Sequence, residues 1–253
     1  MQPRRRRQEI LRLVRARGDC SIAELAGMLE VSDETIRRTI RPLIDEGLVE
    51  KVHGGIVFAG EHGSEPPFER RMQEHVTEKT AIAEIVAGIV ADGDSVIMDT
   101  GSTNAYVARA LRRRANLSVV TNCTEIARTL APVAGNRVNI TGGELRADDS
   151  AVFGPSSIDF VRQFQARYAI LSIGAITDDG DFMDFHLEEA EFSRAVMARA
   201  QETIVVADHS KFGARAFVRI CERSMVDRVV TDRAPAPRLA GLLHEAGVAI
   251  VTP

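Results

Sequence analysis

Cysteine is scarce in this sequence. Cys20, Cys123 and Cys221 stand about a hundred residues apart with no Cys-x-x-Cys pair, which excludes a disulfide framework and a cysteine-based zinc site. Long apolar runs are missing as well: no stretch approaches the roughly 18–20 residues that span a bilayer. The Arg-rich amino end has no apolar segment after it, so no secretion signal is read and a cytoplasmic protein is expected. Lysine occurs only as Lys51, Lys79 and Lys211, against 29 arginines. Common catalytic and nucleotide signatures are lacking: there is no Gly-x-x-x-x-Gly-Lys-Ser/Thr, no Gly-x-Gly-x-x-Gly, no Gly-x-Ser-x-Gly and no His-Glu-x-x-His. The six histidines form no metal-ligand spacing, so no cofactor, metal or catalytic residue is assigned.

What is present fits a soluble globular chain of two modest domains: 253 residues, 45% hydrophobic and 27% charged. Charge is unevenly placed. The net −4 divides into +2 for residues 1–58, with 11 Lys and Arg against 9 Asp and Glu, and −6 for the remainder. Within residues 1–17 seven arginines face the single acid Glu9, a local excess that attracts a polyanion without reading its sequence.

Ile10, Leu13 and Val14 recur at helical spacing and predict a first helix near 4–16, ended by Gly18 and Asp19. Ser21 and Glu24 form a capping box for a second, whose apolar stripe is Ile22, Leu25, Ala26 and Leu29. Ser32 caps a third, with Asp33 and Glu34 in its first turn and Ile36, Ile40, Leu43 and Ile44 as its buried stripe. At 100° per residue that stripe sets Arg37, Arg38 and Arg41 outward, with Thr35 on the other flank. Two short helices of this kind suit a helix-turn-helix whose second helix enters the major groove, where Arg forks onto guanine edges. Leu48 to Val52, then His53-Gly54-Gly55, then Ile56 to Phe58 read as a hairpin, hence a wing. Pro42 inside the reading helix removes one hydrogen bond, which predicts a kink or early end near Arg38 to Arg41.

Val31-Ser32-x-x-Thr35-Ile36-Arg37-Arg38, Glu46-Gly47-Leu48 and Val52-His53-Gly54-Gly55 together resemble the DeoR family of bacterial transcriptional repressors. Thr39 departs from that family's usual aspartate. Candidate DNA-contacting residues are Ser21, Ser32, Thr35, Ile36, Arg37, Arg38, Arg41, Lys51, His53 and Gly54.

The DNA-binding domain is expected over 1–58 and a linker over 59–75, where Gly60, Gly63, Ser64, Pro66 and Pro67 sit amid charge. From 76 to 253 strand-like runs alternate with helical stretches, which implies a largely parallel, doubly wound α/β sheet. Ligands in such sheets sit beyond the carboxyl ends of strands, and the segments found there are Asp99-Thr100-Gly101-Ser102-Thr103-Asn104, Thr121-Asn122, Thr141-Gly142-Gly143 and Asp208 to Gly213. The first opens a helix and reads as a phosphate cradle. Lys211 stands out because a chain that writes nearly every cation as Arg keeps a compact ammonium there, which suits a small anion.

This region resembles the sugar-phosphate sensor domain of the same family, similar in fold to ribose-phosphate isomerases. The resemblance rests on Asp92-Gly93-Asp94, Asp99-x-Gly101-Ser102-Thr103, Thr121-Asn122, Gly142-Gly143, Glu189-Ala190-Glu191 and Ala207 to Gly213. It implies that Gly101, Ser102, Thr103 and Lys211 hold a phosphate while Asp99, Asn122 and Glu189 reach sugar hydroxyls. Asn104, Thr121, Gly142, Gly143 and Asp208 complete the candidate effector set. Ser193 stands where the family often has lysine. The expected function is a repressor, acting as a homodimer or homotetramer on double-stranded operator DNA under control of a phosphorylated sugar. The alternative is an isomerase-like enzyme with an appended DNA-binding domain, which needs only a carboxylate base and an acid near the sugar carbons.

Overall fold

The computed structural model describes residues 3–17, 19–45, 48–52, 55–58 and 65–253. The chain forms two compact units that divide between Pro66 and Pro67.

The first unit comprises α1 (Pro3–Arg17), β1 (Asp19–Ser21), α2 (Ile22–Leu29), α3 (Asp33–Asp45), β2 (Val49–Val52) and β3 (Gly55–Phe58). Ile10 and Val14 of α1 pack with Ile22, Leu25, Ile36, Ile40, Leu43, Val49 and Ile56 into one core. Ser21 Oγ accepts the Glu24 N–H at 3.1 Å, and Glu24 Oε2 accepts the Ser21 N–H at 2.8 Å, so the capping box fixes the start of α2. The sheet runs β1-β3-β2, all antiparallel, and β1 is a strand where the sequence suggested only a turn. Gly55 is required in β3, because a Cβ there would lie 2.3 Å from the Cys20 carbonyl oxygen.

The early end that Pro42 could bring does not occur: α3 runs on to Asp45 with Pro42 inside it. Pro42 is exposed, so the Arg38 carbonyl that loses its partner faces water. The last turn is held by buried Ile40 and Leu43 and by the Leu48 N–H, which donates to the Leu43 carbonyl at 2.8 Å.

The second unit begins with α4 (Phe68–Gln73) and α5 (Val76–Ile89). The stretch expected as linker therefore supplies a helix, since Tyr106 Oη donates to the Met72 carbonyl at 2.9 Å and anchors α4. Then follow β4 (Ser95–Met98), α6 (Ser102–Leu111), β5 (Ser118–Thr121), α7 (Thr124–Leu130), β6 (Arg137–Ile140), β7 (Leu145–Arg146), β8 (Ala151–Val152) and α8 (Pro155–Val161). The remainder is β9 (Ala166–Ser172), β10 (Ala175–Ile176), β11 (Phe182–Asp184), α9 (Leu187–Met197), β12 (Ala200–Val206), β13 (Val218–Cys221), β14 (Arg228–Val230), α10 (Pro237–Glu245) and β15 (Ala249–Val251).

Seven strands form a parallel sheet in the order β15-β14-β12-β9-β4-β5-β6. From β4 the chain winds outward through β5 and β6, then returns to β9 on the other side, so the topological switch lies between β4 and β9. Apolar clusters pack on the sheet, one including Val86, Met98, Val107 and Ile170 and another including Ile97, Leu171, Phe192 and Val205. The small antiparallel sheet β10-β11-β13 and the hairpin β7-β8 have no counterpart in the sequence reading.

Candidate nucleic-acid interface and effector crevice

In the first unit, burial sorts the candidate contacts. Arg37, Arg38, Arg41 and Lys51 are exposed, and Arg37, Arg41 and Lys51 line one groove between α3 and the β2-β3 hairpin. Ile36, expected to face DNA, instead has no exposed surface and belongs to the core. Ser21 is engaged in its capping box. Ser32 Oγ accepts the Thr35 N–H at 3.3 Å and lies 2.9 Å from Thr35 Oγ1, so it caps α3. His53 and Gly54 fall outside the described residues. What remains is a basic outer face whose first turn bears the exposed acids Asp33 and Glu34, so cations begin only at Arg37.

In the second unit the switch point holds a buried polar knot. Asp99 follows β4, and its Oδ1 accepts from the Ser172 N–H at the end of β9 (2.9 Å) and from Asn104 Nδ2 (2.6 Å). Ser193 Oγ of α9 donates to Asp99 Oδ2 at 3.2 Å. Burial pushes the Asp99 carboxyl well above the usual carboxylate range, against the lowering effect of the bonds from Ser172, Ser193 and Asn104. The nearby Glu189 charge adds to the rise. Both Asp99 oxygens are thus engaged within the protein.

Gly101 has φ of +140°, and a Cβ there would lie 2.5 Å from the Ser172 side chain, so only glycine fits. It is the N-cap of α6 and supplies no side-chain cap. Ser102, Thr103 and Asn104, the first turn of α6, are nevertheless almost wholly buried. An enclosed helix start without a capping side chain presents unsatisfied N–H donors to whatever lies before it. Beside it stand two buried amide oxygens, Asn104 Oδ1 and Asn122 Oδ1, that accept no hydrogen bond.

Neighbouring loops close on this point. Asn122 exchanges bonds with Val152, its Nδ2 donating to the Val152 carbonyl at 3.1 Å. Thr121 Oγ1 accepts the Cys123 N–H, and Thr141 Oγ1 accepts from Ser157 Oγ. Gly142 and Gly143 are exposed on the loop that leads to β7. Arg146, unremarked in the sequence, is held at 2.6 Å by buried Asp149, by Glu189, and at 3.5 Å by Glu188, and it lies over the Phe153 ring. Burial works against its charge, but these carboxylates outweigh burial and raise its pKa.

Asp208 and Lys211, from the loop after β12, lie near a second residue the sequence reading passed over, the buried Lys79 of α5. Lys79 Nζ donates to the Arg71 carbonyl and, at 3.0 Å, to that of Glu74, which pins the end of α4. The scarcity of lysine that singles out Lys211 points equally to Lys79. Burial lowers the Lys79 pKa to about 8, with Asp208 opposing and Lys211 assisting. Because the unfolded chain releases this proton only near 10.5, it binds more protons than the native state between those values, and stability rises with pH across that window. Relative to a Lys79→Met variant, the wild-type chain is expected to gain about 3 kcal/mol from pH 7.5 to 10.5 in urea unfolding. Parallel pH profiles for the two proteins contradict this.

The chain matches two family models, the DeoR-like helix-turn-helix domain over residues 6–62 and the DeoR C terminal sensor domain over residues 74–233. It is 38% identical to the HTH-type transcriptional repressor CsqR of Escherichia coli, covering 98% of this chain and 95% of that one. It is 35% identical to the glycerol-3-phosphate regulon repressor of Escherichia coli, over 93% of each. Among solved structures, ribose 5-phosphate isomerase A from Methanocaldococcus jannaschii overlays 53% of each chain with a TM-score of 0.39 and 15% identity.

Proposed function

This chain belongs to the DeoR family of transcriptional repressors, and from that premise we propose that a phosphorylated sugar bound at the β4/β9 switch point controls its grip on operator DNA. The observation that carries this reading is the buried, uncapped start of α6 flanked by the unpartnered oxygens of Asn104 and Asn122. Backbone N–H groups at a helix start favour a phosphate, and orphaned amide oxygens favour hydroxyl donors; one sugar phosphate supplies both. One relative is named as the repressor of the regulon of glycerol 3-phosphate, a polyol phosphate that likewise joins a phosphate to hydroxyl groups. Asp99 serves as the post that fixes the cradle, and Gly101, Ser102, Thr103 and Asn122 touch the ligand. Lys211 supplies the compact cation. Two copies of the chain present reading helices to half-sites about 34 Å apart, and the effector disfavours that geometry.

A panel of sugar phosphates tests this. The effector at a hundred times its dissociation constant stabilises the protein by about 2.7 kcal/mol, a rise of several degrees in Tm. The same compound is expected to lower DNA affinity and to emerge unchanged after incubation, whereas the parent sugar without phosphate has neither effect. If no sugar phosphate raises Tm, or one does so with DNA affinity unmoved, the reading fails. Turnover of aldose or ketose phosphates would favour the isomerase-like alternative.

A further inference from the structure

Three donor side chains meet at the carboxyl edge of the sheet, with a second imidazole beside them, in a place the effector reading does not use. His209 and Asp232 follow β12 and β14, adjacent parallel strands paired through Val206 and Val230. Asp232 accepts the His209 backbone N–H at 2.7 Å, and its Oδ2 lies 2.8 Å from His209 Nδ1. Across from them, His75 is the N-cap of α5, and Glu78 lies one turn on. One ligand atom from each of Glu78, His209 and Asp232 lies within 4.8 Å of the other two, and the His75 ring meets the His209 ring edge-on at 5.5 Å.

We propose that His75, Glu78, His209 and Asp232 bind one divalent transition-metal cation, with zinc the best match. Two imidazoles and two carboxylates form the borderline donor set that zinc takes in tetrahedral geometry, whereas magnesium and calcium demand more oxygens. Ligands on a zinc tetrahedron are roughly 3.3–3.6 Å apart, given bonds of 2.0–2.2 Å, so Glu78, His209 and Asp232 need only draw in slightly, and His75 must turn its ring toward them. His209 Nδ1 and Asp232 Oδ2 already face each other at 2.8 Å, so a cation bound there takes the place of the proton they share.

Charge points the same way. Glu78 has no hydrogen-bond or ion-pair partner among the described residues, although it faces a second carboxylate. The cation against Asp232 is Arg233, at 3.2 Å and largely exposed, which yields its place at little cost. Lys79, beside Glu78 in sequence, sends its ammonium to the carbonyls of Arg71 and Glu74. Histidine spacing along the chain is silent because the ligands come from three separate segments. The site stands independently of any sugar phosphate.

Calorimetric titration of the EDTA-treated full chain with zinc chloride is expected to show one saturable zinc per chain and no comparable uptake of magnesium. His209→Ala also removes the bond to Asp232, so Glu78→Gln and His75→Ala, which leave that pair intact, carry the test. Each is expected to weaken zinc binding at least about tenfold, while His244→Ala, exposed on α10 and remote from any cluster of ligand side chains, leaves it unchanged. Absence of stoichiometric zinc binding by the wild-type chain, or wild-type affinity in both Glu78→Gln and His75→Ala, overturns the proposal.

Discussion

Replacing Arg37 and Arg38 together with alanine is expected to weaken binding to a duplex selected by the full chain about a hundredfold or more, with no change in Tm. Each good base contact contributes roughly 1–3 kcal/mol of discrimination, and 1.4 kcal/mol is a factor of ten. Stability is spared because both side chains are exposed, while the residues that hold α3, Ile36, Ile40 and Leu43, lie on its opposite face. The salt dependence separates two roles. An arginine reading a base changes preference at one position of the site, whereas one that touches phosphate lowers affinity for all sequences and reduces the salt slope by about one. Lys51 on the hairpin is expected to behave in the second way. If the double variant binds the selected duplex as the wild type does, α3 is not the reading helix.

The first unit was legible because its signals are local. The capping box at Ser21 and Glu24 and the stripe of α3 each lie within a few residues, and helix formation responds to such short-range terms. The same locality misjudged two residues. Pro42 was weighed by the bond it removes, without the packing of Ile40 and Leu43 that keeps the helix whole. Ile36, beside the arginines in sequence, points into the core. In the second unit the alternation of strands and helices conveyed the parallel sheet, but the two-residue strands β7, β8 and β10 are too short to show a period. Loop residues after β4 and β5 could be named from the rule that ligands gather at strand ends, whereas the partners that complete the knot could not. Ser172 and Ser193 come from 73 and 94 residues downstream of Asp99; nothing near Ser172 marks it, and Ser193 stood out only as a departure from a family pattern, with no partner named for it. Arg146 is likewise explained only by carboxylates that folding brings to it.

Asp99→Ala is expected to destabilise the second unit by about 2–4 kcal/mol, whereas Asp99→Asn is expected to cost less than about 1 kcal/mol near neutral pH. The alanine leaves the Ser172 N–H and the Ser193 hydroxyl without their acceptor in a buried site, where each unmet group costs about 1–3 kcal/mol. The asparagine keeps an oxygen for Ser172 and Asn104 and offers an N–H to Ser193. It succeeds as a replacement because the native carboxyl, driven up by burial, holds its proton where an exposed aspartate is ionised. The sign of the pH dependence follows. A carboxyl whose folded pKa is raised binds a proton that the unfolded chain releases above 3.8, so its contribution is complete below that value and declines as pH rises toward the folded pKa. Urea unfolding at a series of pH values should therefore show the wild type losing stability relative to Asp99→Asn as pH increases, with the two curves converging toward acid. The Ser193 hydroxyl donates to this carboxyl and by itself favours the anion, but burial outweighs that bond and favours the neutral acid. If Asp99→Asn is as damaging as Asp99→Ala at every pH, the carboxyl is ionised in the folded protein and the anion cradle carries a negative post, which would set the switch point against a phosphate rather than for it.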